Sequence, residues 1–181
     1  MTPLLDFDRA LIETAPAFEH PWLTAVFVLL SAWWVKGPIL VGLGLCSDVW
    51  RRRIPVAFAA ALCATGAAAL IVDVLKRGFG RERPSVADPQ LGSLTDIPGN
   101  PSFPSGHSAT AFAAATAVAI LSPRLRVPAL AIAAAVGLSR VYLRVHFPLD
   151  VFAGALLGAG IGALCAFVLL RVVRATQPHP A

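Results

Sequence analysis

The chain has 181 residues, of which 57% are hydrophobic and 14% charged, and its mean hydropathy of +0.73 excludes an ordinary soluble domain with a polar surface. The formal net charge of +5 does not point to nucleic acid, because the basic residues punctuate apolar runs instead of lining one helix face. Cys46, Cys63 and Cys165 stand singly inside apolar runs without CxxC spacing, which argues against a disulfide framework or a zinc site.

At roughly 20 apolar residues per bilayer crossing, the length allows five or six spans and no separate soluble domain. The expected fold is therefore all-α, a single polytopic membrane bundle over residues 1–181. The N-terminus is acidic where a signal peptide needs a basic segment, so insertion is expected to rely on the spans.

In chain order, residues 1–20 come first. Leu4, Leu5, Phe7, Leu11 and Ile12 recur at helical spacing between Asp6, Asp8, Arg9 and Glu13, which predicts a short amphipathic helix lying in the membrane interface. Residues 21–50 are too few for two full crossings, yet Lys36, Gly37 and Pro38 interrupt them; one span bent at Pro38 is expected, two spans being the alternative. Lys36 would then be an intramembrane charge, a candidate for supporting substrate from a distance or a side chain that snorkels to the interface. Trp22 and Trp50 mark the ends of this region as an aromatic belt would.

Residues 54–75 form the clearest predicted span, flanked by Arg51, Arg52 and Arg53 before and Lys76 and Arg77 after. Residues 105–122 and 127–145 predict an antiparallel pair joined by a short connection. Residues 148–173 make the last span, where Gly154, Gly158 and Gly162 repeat every fourth residue and predict close helix packing. With alternating spans, Arg51, Arg52, Arg53, Arg124, Arg126, Arg171 and Arg174 share one side, the expected cytoplasmic face. Lys76, Arg77, Arg81, Arg83, Arg140 and Arg144 share the other, nearly as basic, and call for another explanation.

Phosphoryl chemistry supplies one. Lys76, Arg83 and Arg140 are fixed cations suited to the equatorial oxygens of a transferring phosphoryl group, the arginines by forked hydrogen bonds. Ser105 and Gly106 open a helix, whose free amides and positive dipole end favour an anion. A neutral His146 can attack phosphorus in line while Asp150 fixes its tautomer, leaving His107 as the acid for the leaving oxygen and then the base for water. The arrangement requires no metal or other cofactor. Asp150 and Ser105 also read as plain helix-start residues. Arg77, Arg81 and Arg144, taken singly, read as span-end or snorkelling side chains, and His20 and His179 as solvated ones. Asp73, one turn before Lys76, reads as its partner or that of Arg77.

The pattern K-x6-R-P at Lys76, Arg83 and Pro84, P-S-G-H at residues 104–107, and S-R-x5-H-x3-D at Ser139, Arg140, His146 and Asp150 resembles the signature of the type 2 phosphatidic acid phosphatase family, with no departure at any signature position. The resemblance covers residues 76–150. It implies that Lys76, Arg83, Ser105, Gly106 and Arg140 bind phosphate, that His107 is the acid, His146 the nucleophile and Asp150 its partner, and that no metal takes part. It further implies a multi-pass protein of the plasma (inner) membrane whose site looks outward and whose partner is a lipid phosphate. Undecaprenyl diphosphate is the favoured expectation, with phosphatidylglycerol phosphate and phosphatidic acid as alternatives. Two readings of other classes are an inactive lipid-binding or transport protein on the same fold, opposed by the intact His107, His146 and Asp150, and a vanadate-dependent haloperoxidase, opposed by the membrane composition.

Overall fold

The computed structural model describes residues 3–32, 35–50 and 55–176. Arg51, Arg52, Arg53 and His179, together with the side chain of Lys36, lie outside the described residues, and so do the expectations placed on them.

Eight α-helices are described: α1 Pro3–Glu13, α2 Pro21–Leu30, α3 Leu40–Trp50, α4 Val56–Phe79, the single turn α5 Pro84–Ala87, α6 Gly106–Leu121, α7 Arg126–Tyr142 and α8 Pro148–Thr176. Their punctuation is local. Gly80 ends α4 at φ 61° with its N–H on the Lys76 carbonyl, a left-handed cap that glycine adopts without Cβ strain. Ser105 caps the start of α6, and Pro148 opens α8, where its missing N–H is not needed.

Helix α6 is the centre of the bundle, packed against α4, α7 and α8. Its buried face is almost wholly alanine, including Ala109, Ala113 and Ala117. The glycines of α8 explain how closely it approaches. A Cβ built on Gly154, Gly158 or Gly162 would lie 2.5, 2.1 and 2.3 Å from the carbonyl oxygens of Ser105, Ala109 and Ala113. The two backbones therefore touch, as the four-residue glycine repeat predicts.

Large apolar residues point the other way. On α4, Ala68 is fully buried while Leu70 is 72% exposed, and on α8 Leu156 and Leu164 face outward. Small inside and large outside inverts the soluble pattern and suits a bundle whose outer surface meets lipid chains. Three helical stretches, Val56–Ala87, Pro123–Tyr142 and Pro148–Thr176, are long and apolar enough to cross a membrane; Pro21–Leu30, Gly37–Trp50 and Gly106–Leu121 are shorter apolar helices. The chain is a multi-pass membrane protein.

Two expectations need adjustment. The interruption within residues 21–50 falls before Pro38, because α2 ends at Leu30 and the chain bends at Ser31 and Ala32. Pro38 itself sits within a π-helical turn, Val35–Ile39, whose wider ring accommodates the absent N–H. Helix α1 forms as predicted, but Asp8 does not share the solvent with Asp6 and Arg9: it is 1% exposed and faces the protein. Ile12, also on that inner face, packs with Leu91 and Phe147.

Candidate active site

The C-terminal ends of α4 and α7 and the N-terminal ends of α6 and α8 meet at one end of the bundle, where the Ser105 amide donates to the Asp150 carbonyl at 2.9 Å. A cavity of about 340 Å³ opens there, lined among others by Lys76, Arg83, Gly106, His107, Arg140 and His146. Residues separated by up to 70 positions in sequence thus surround one space, because antiparallel helices return each motif to the same end.

Arg83 is the most tightly held of the cations, and 3% exposed. Its Nε donates to the carbonyls of Pro98 and Asn100 at 3.1 and 3.0 Å, one terminal nitrogen to Asn100 Oδ1 at 2.7 Å, and the other to the Val145 carbonyl at 2.7 Å. That last nitrogen also lies 3.2 Å from His146 Nε2. Lys76 Nζ donates to Asn100 Oδ1 at 3.1 Å and to the Pro101 carbonyl at 2.5 Å. Asn100 therefore ties the two cations into one rim. Arg140 donates through one terminal nitrogen to Ser31 Oγ, while its buried Nε has no hydrogen-bond partner among the described residues. A buried unmet N–H of a cation facing a cavity is a donor suited to an anion.

The hydrogen bonds fix the protons on His146. A guanidinium can only donate, so Nε2 carries the lone pair that accepts from Arg83 and Nδ1 carries the hydrogen. Nδ1 lies 3.2 Å from Ser102 Oγ and 3.6 Å from Asp150 Oδ2, the latter beyond hydrogen-bond distance. Ser102 Oγ in turn donates to Asp150 Oδ2 at 2.5 Å. The sequence predicts a direct His146–Asp150 bond; the structure inserts the Ser102 hydroxyl between them. His146 is pushed down to about 4. Burial is the largest cause, and the charges of Arg83 and Lys76 act with it, against the negative charge of Asp150. The ring is accordingly neutral at physiological pH.

Asp150 is fully buried and held from several sides. Oδ2 also accepts the Phe147 amide at 3.0 Å, capping α8, and Oδ1 accepts from Arg81 at 2.7 Å. Across the cavity His107 Nε2 lies 3.1 Å from the Ser31 carbonyl; a carbonyl only accepts, so Nε2 bears the hydrogen there.

Ser105 departs from its expected place at the phosphate. Its hydroxyl caps α6, accepting from the Ser108 amide at 3.5 Å and the Ser108 hydroxyl at 3.1 Å. Its amide is taken by Asp150, so Gly106 and not Ser105 presents the helix start to the cavity. Sequence reading also missed Ser31, Asn100, Ser102, Asp8 and the contact of Arg81. Ser102 and Asn100 stand just before the P-S-G-H motif, a position that could have flagged them; Ser31 carried no signal beyond lying in an interrupted span.

Among the described residues no group of three or more His, Cys, Asp or Glu side chains is placed to hold a metal ion.

Comparison with known proteins bears on this geometry. The chain is similar to the lipid A 1-phosphatase of Rhizobium etli, 42% identical over 106 residues that cover 56% of this chain and 46% of that protein. It is also similar to the decaprenylphosphoryl-5-phosphoribose phosphatase of Mycobacterium tuberculosis, 39% identical over 118 residues covering 63% and 60% of the two chains. The matches thus span about half the length of these relatives. A PAP2-type phosphatidylglycerolphosphate phosphatase from Bacillus subtilis, known from its crystal structure, superposes with a TM-score of 0.72 at 26% identity, covering 99% of this chain and 90% of that one. Residues 56–174, which hold all the residues that line the cavity, match the family model of the PAP2 superfamily, and the chain belongs to that superfamily.

Proposed function

We propose that the protein is a membrane lipid phosphate phosphatase that works through a phosphohistidine on His146. The observation that carries this reading is the His146 ring itself, whose unprotonated Nε2 meets the Arg83 guanidinium at the wall of a cavity that Lys76 and Arg140 also line. Such an arrangement holds a tetrahedral dianion beside a neutral nucleophile.

In this reading the phosphate oxygens take the Arg140 Nε, the Lys76 ammonium, the Arg83 guanidinium and the amide end of α6 at Gly106. Nε2 of His146 attacks phosphorus and the bond to the lipid oxygen breaks. His107, doubly protonated when substrate binds, passes to the leaving oxygen the Nε2 proton that hydrogen-bonds the Ser31 carbonyl in the free enzyme, and becomes neutral. The imidazolium formed on His146 is stabilised by Asp150 through Ser102. His107, now neutral, takes a proton from water, which attacks phosphorus, breaks the phosphorus–nitrogen bond and releases phosphate.

The reading also places the site on the outward face of the inner membrane, with α2 and α3 as one broken span and α6 as a short one, five in all. Undecaprenyl diphosphate remains the first substrate to test. A phosphate carried on a lipid-linked sugar is a second reading, favoured by the similarity to the lipid A 1-phosphatase and the decaprenylphosphoryl-5-phosphoribose phosphatase.

Phosphate release by the purified protein in excess chelator, compared across undecaprenyl diphosphate, lipid A, phosphatidylglycerol phosphate and phosphatidic acid, tests both levels. Release from at least one lipid, abolished by His146→Ala, together with an acid-labile phosphoenzyme on quenching, is expected. Normal turnover by His146→Ala would remove the covalent step, and no release from any lipid would favour the binding or transport reading.

A further inference from the structure

Arg81 and Asp8 belong to neither the cavity lining nor the family pattern as read in the sequence, yet they form the most deeply enclosed ion pairs described. One terminal nitrogen of Arg81 donates to Asp150 Oδ1 at 2.7 Å and the other to Asp8 Oδ2 at 2.6 Å. Both carboxylates are fully buried at the side chain and Arg81 is 21% exposed. The second oxygen of Asp8 accepts the Leu149 amide at 2.8 Å, one of the unpaired donors at the start of α8. The guanidinium also stacks 4.1 Å above the Phe147 ring, in the turn that carries His146. Helix α1 is thus fastened at Asp8 to the first turn of α8 and, through Arg81, to Asp150.

An ion pair this enclosed gains little stability over an apolar pair of the same shape, because desolvation offsets most of the attraction. Orientation is the better account. Asp150 must present Oδ2 to Ser102 and His146, and a carboxylate is free to rotate unless its other oxygen is held. Arg81 holds that oxygen, and Asp8 fixes the fork of Arg81 in a bidentate-like geometry that lysine cannot copy.

We propose that Arg81 and Asp8 are positioning residues for the His146–Ser102–Asp150 relay, so that the N-terminal helix α1 is part of the catalytic apparatus. The proposal rests on the phosphatase reading for its rate test but not for its spectroscopic one. The charged and titratable groups around His146 are Arg83 and Lys76 at the cavity, Arg140 on α7, His107 on α6, Asp150 on α8, and behind them Arg81 from the segment after α4 and Asp8 on α1. Removing Arg81 leaves Asp150 with its full charge, which favours the imidazolium. Removing Asp8 leaves Arg81 with its full charge on Asp150, which disfavours it. The two changes therefore shift the titration of His146 in opposite directions.

The test uses the full chain in detergent, as wild type, Arg81→Gln, Arg81→Lys, Asp8→Asn and the double variant Asp8→Asn with Arg81→Gln. Thermal melts and gel filtration establish that each is folded. NMR titration of ring-labelled histidine, assigned with His146→Gln, is expected to show the His146 midpoint rising by about one pH unit in Arg81→Gln and falling in Asp8→Asn, with the double variant returning toward wild type. On the best lipid substrate, kcat should fall about 10-fold to 100-fold in Arg81→Gln and Asp8→Asn with KM within about twofold, and Arg81→Lys should recover only part of the rate. Shifts of one sign, no shift, or unchanged kcat in the folded single variants would overturn the proposal. A wild-type protein inactive on every lipid would overturn the phosphatase reading, and the opposed shifts would then decide the positioning role alone.

Discussion

Around α6 the buried residues are alanines set against the glycines of α8 and the alanines of α4, and what they exchange is contact between backbones. At the end of the same helices, in the turns that carry Arg83, Ser102, His146 and Asp150, side chains are buried just as deeply and what they exchange is hydrogen bonds and charge. The trunk is specified by volume, with little tolerance for an added methyl group. The roof is specified by pairing, with little tolerance for an unpaired donor or acceptor. A residue's sensitivity therefore depends on which currency its neighbours use, not on how deeply it lies.

The largest expected effect comes from forcing volume into the trunk. Gly158→Ala puts a methyl group 2.1 Å from the Ala109 carbonyl oxygen, against backbone that cannot rotate away. Helix α8 must move outward as a rod, and we expect a loss of about 3 kcal/mol or more in unfolding measured in detergent. Gly160→Ala, two residues on with nothing within 4 Å of its Cβ, should be neutral or slightly stabilising. Equal effects at both positions would show that α6 and α8 are not in backbone contact.

In the roof, Arg140→Lys keeps the charge and removes the fork. The bond to Ser31 Oγ and the buried, unpartnered Nε donor cannot both be replaced by one ammonium. A fall in kcat/KM on the order of 100-fold is expected on the best lipid phosphate, with stability nearly unchanged. A fall under about threefold would demote Arg140 to a charge at the end of a helix.

Much of this division was legible in sequence. The long apolar helices α4, α7 and α8 followed from apolar runs bounded by basic residues, a close helix approach on α8, though not its partner α6, from glycines at every fourth position, and the cavity cations and both histidines from motif spacing. The relay was not, because it depends on rotamers: spacing places Asp150 one turn from His146 but says nothing of whether Ser102 enters between them. The break before Pro38 was misplaced because Pro38 is the obvious disruptor, whereas Ser31 is used by Arg140 and His107. The burial of Asp8 is not legible in an amphipathic pattern, where charged residues ordinarily face outward, because it depends on Arg81, 73 positions away, supplying the partner.

The sharpest comparison is between Arg77 and Arg81, two arginines four residues apart that sequence alone treats alike. Arg77 pairs with Asp73 at 2.5 Å across one helical turn, but the side chains are 79% and 59% exposed, so solvent screening leaves the pair about 0.5 kcal/mol at most. Arg81 makes a contact of nearly the same length to two carboxylates that water cannot reach. Arg77→Ala is expected to leave the unfolding midpoint and kcat within experimental error, or within about twofold. The one route to a larger effect is Asp73, which lines the cavity: freed of Arg77, its carboxylate would stand nearer an incoming phosphate as an unbalanced negative charge. A rise in KM with unchanged kcat would identify that route, since the repulsion acts equally on bound substrate and transition state. A tenfold fall in kcat would instead place Arg77 with Arg81 in the roof, and burial of the partners would no longer be what separates them.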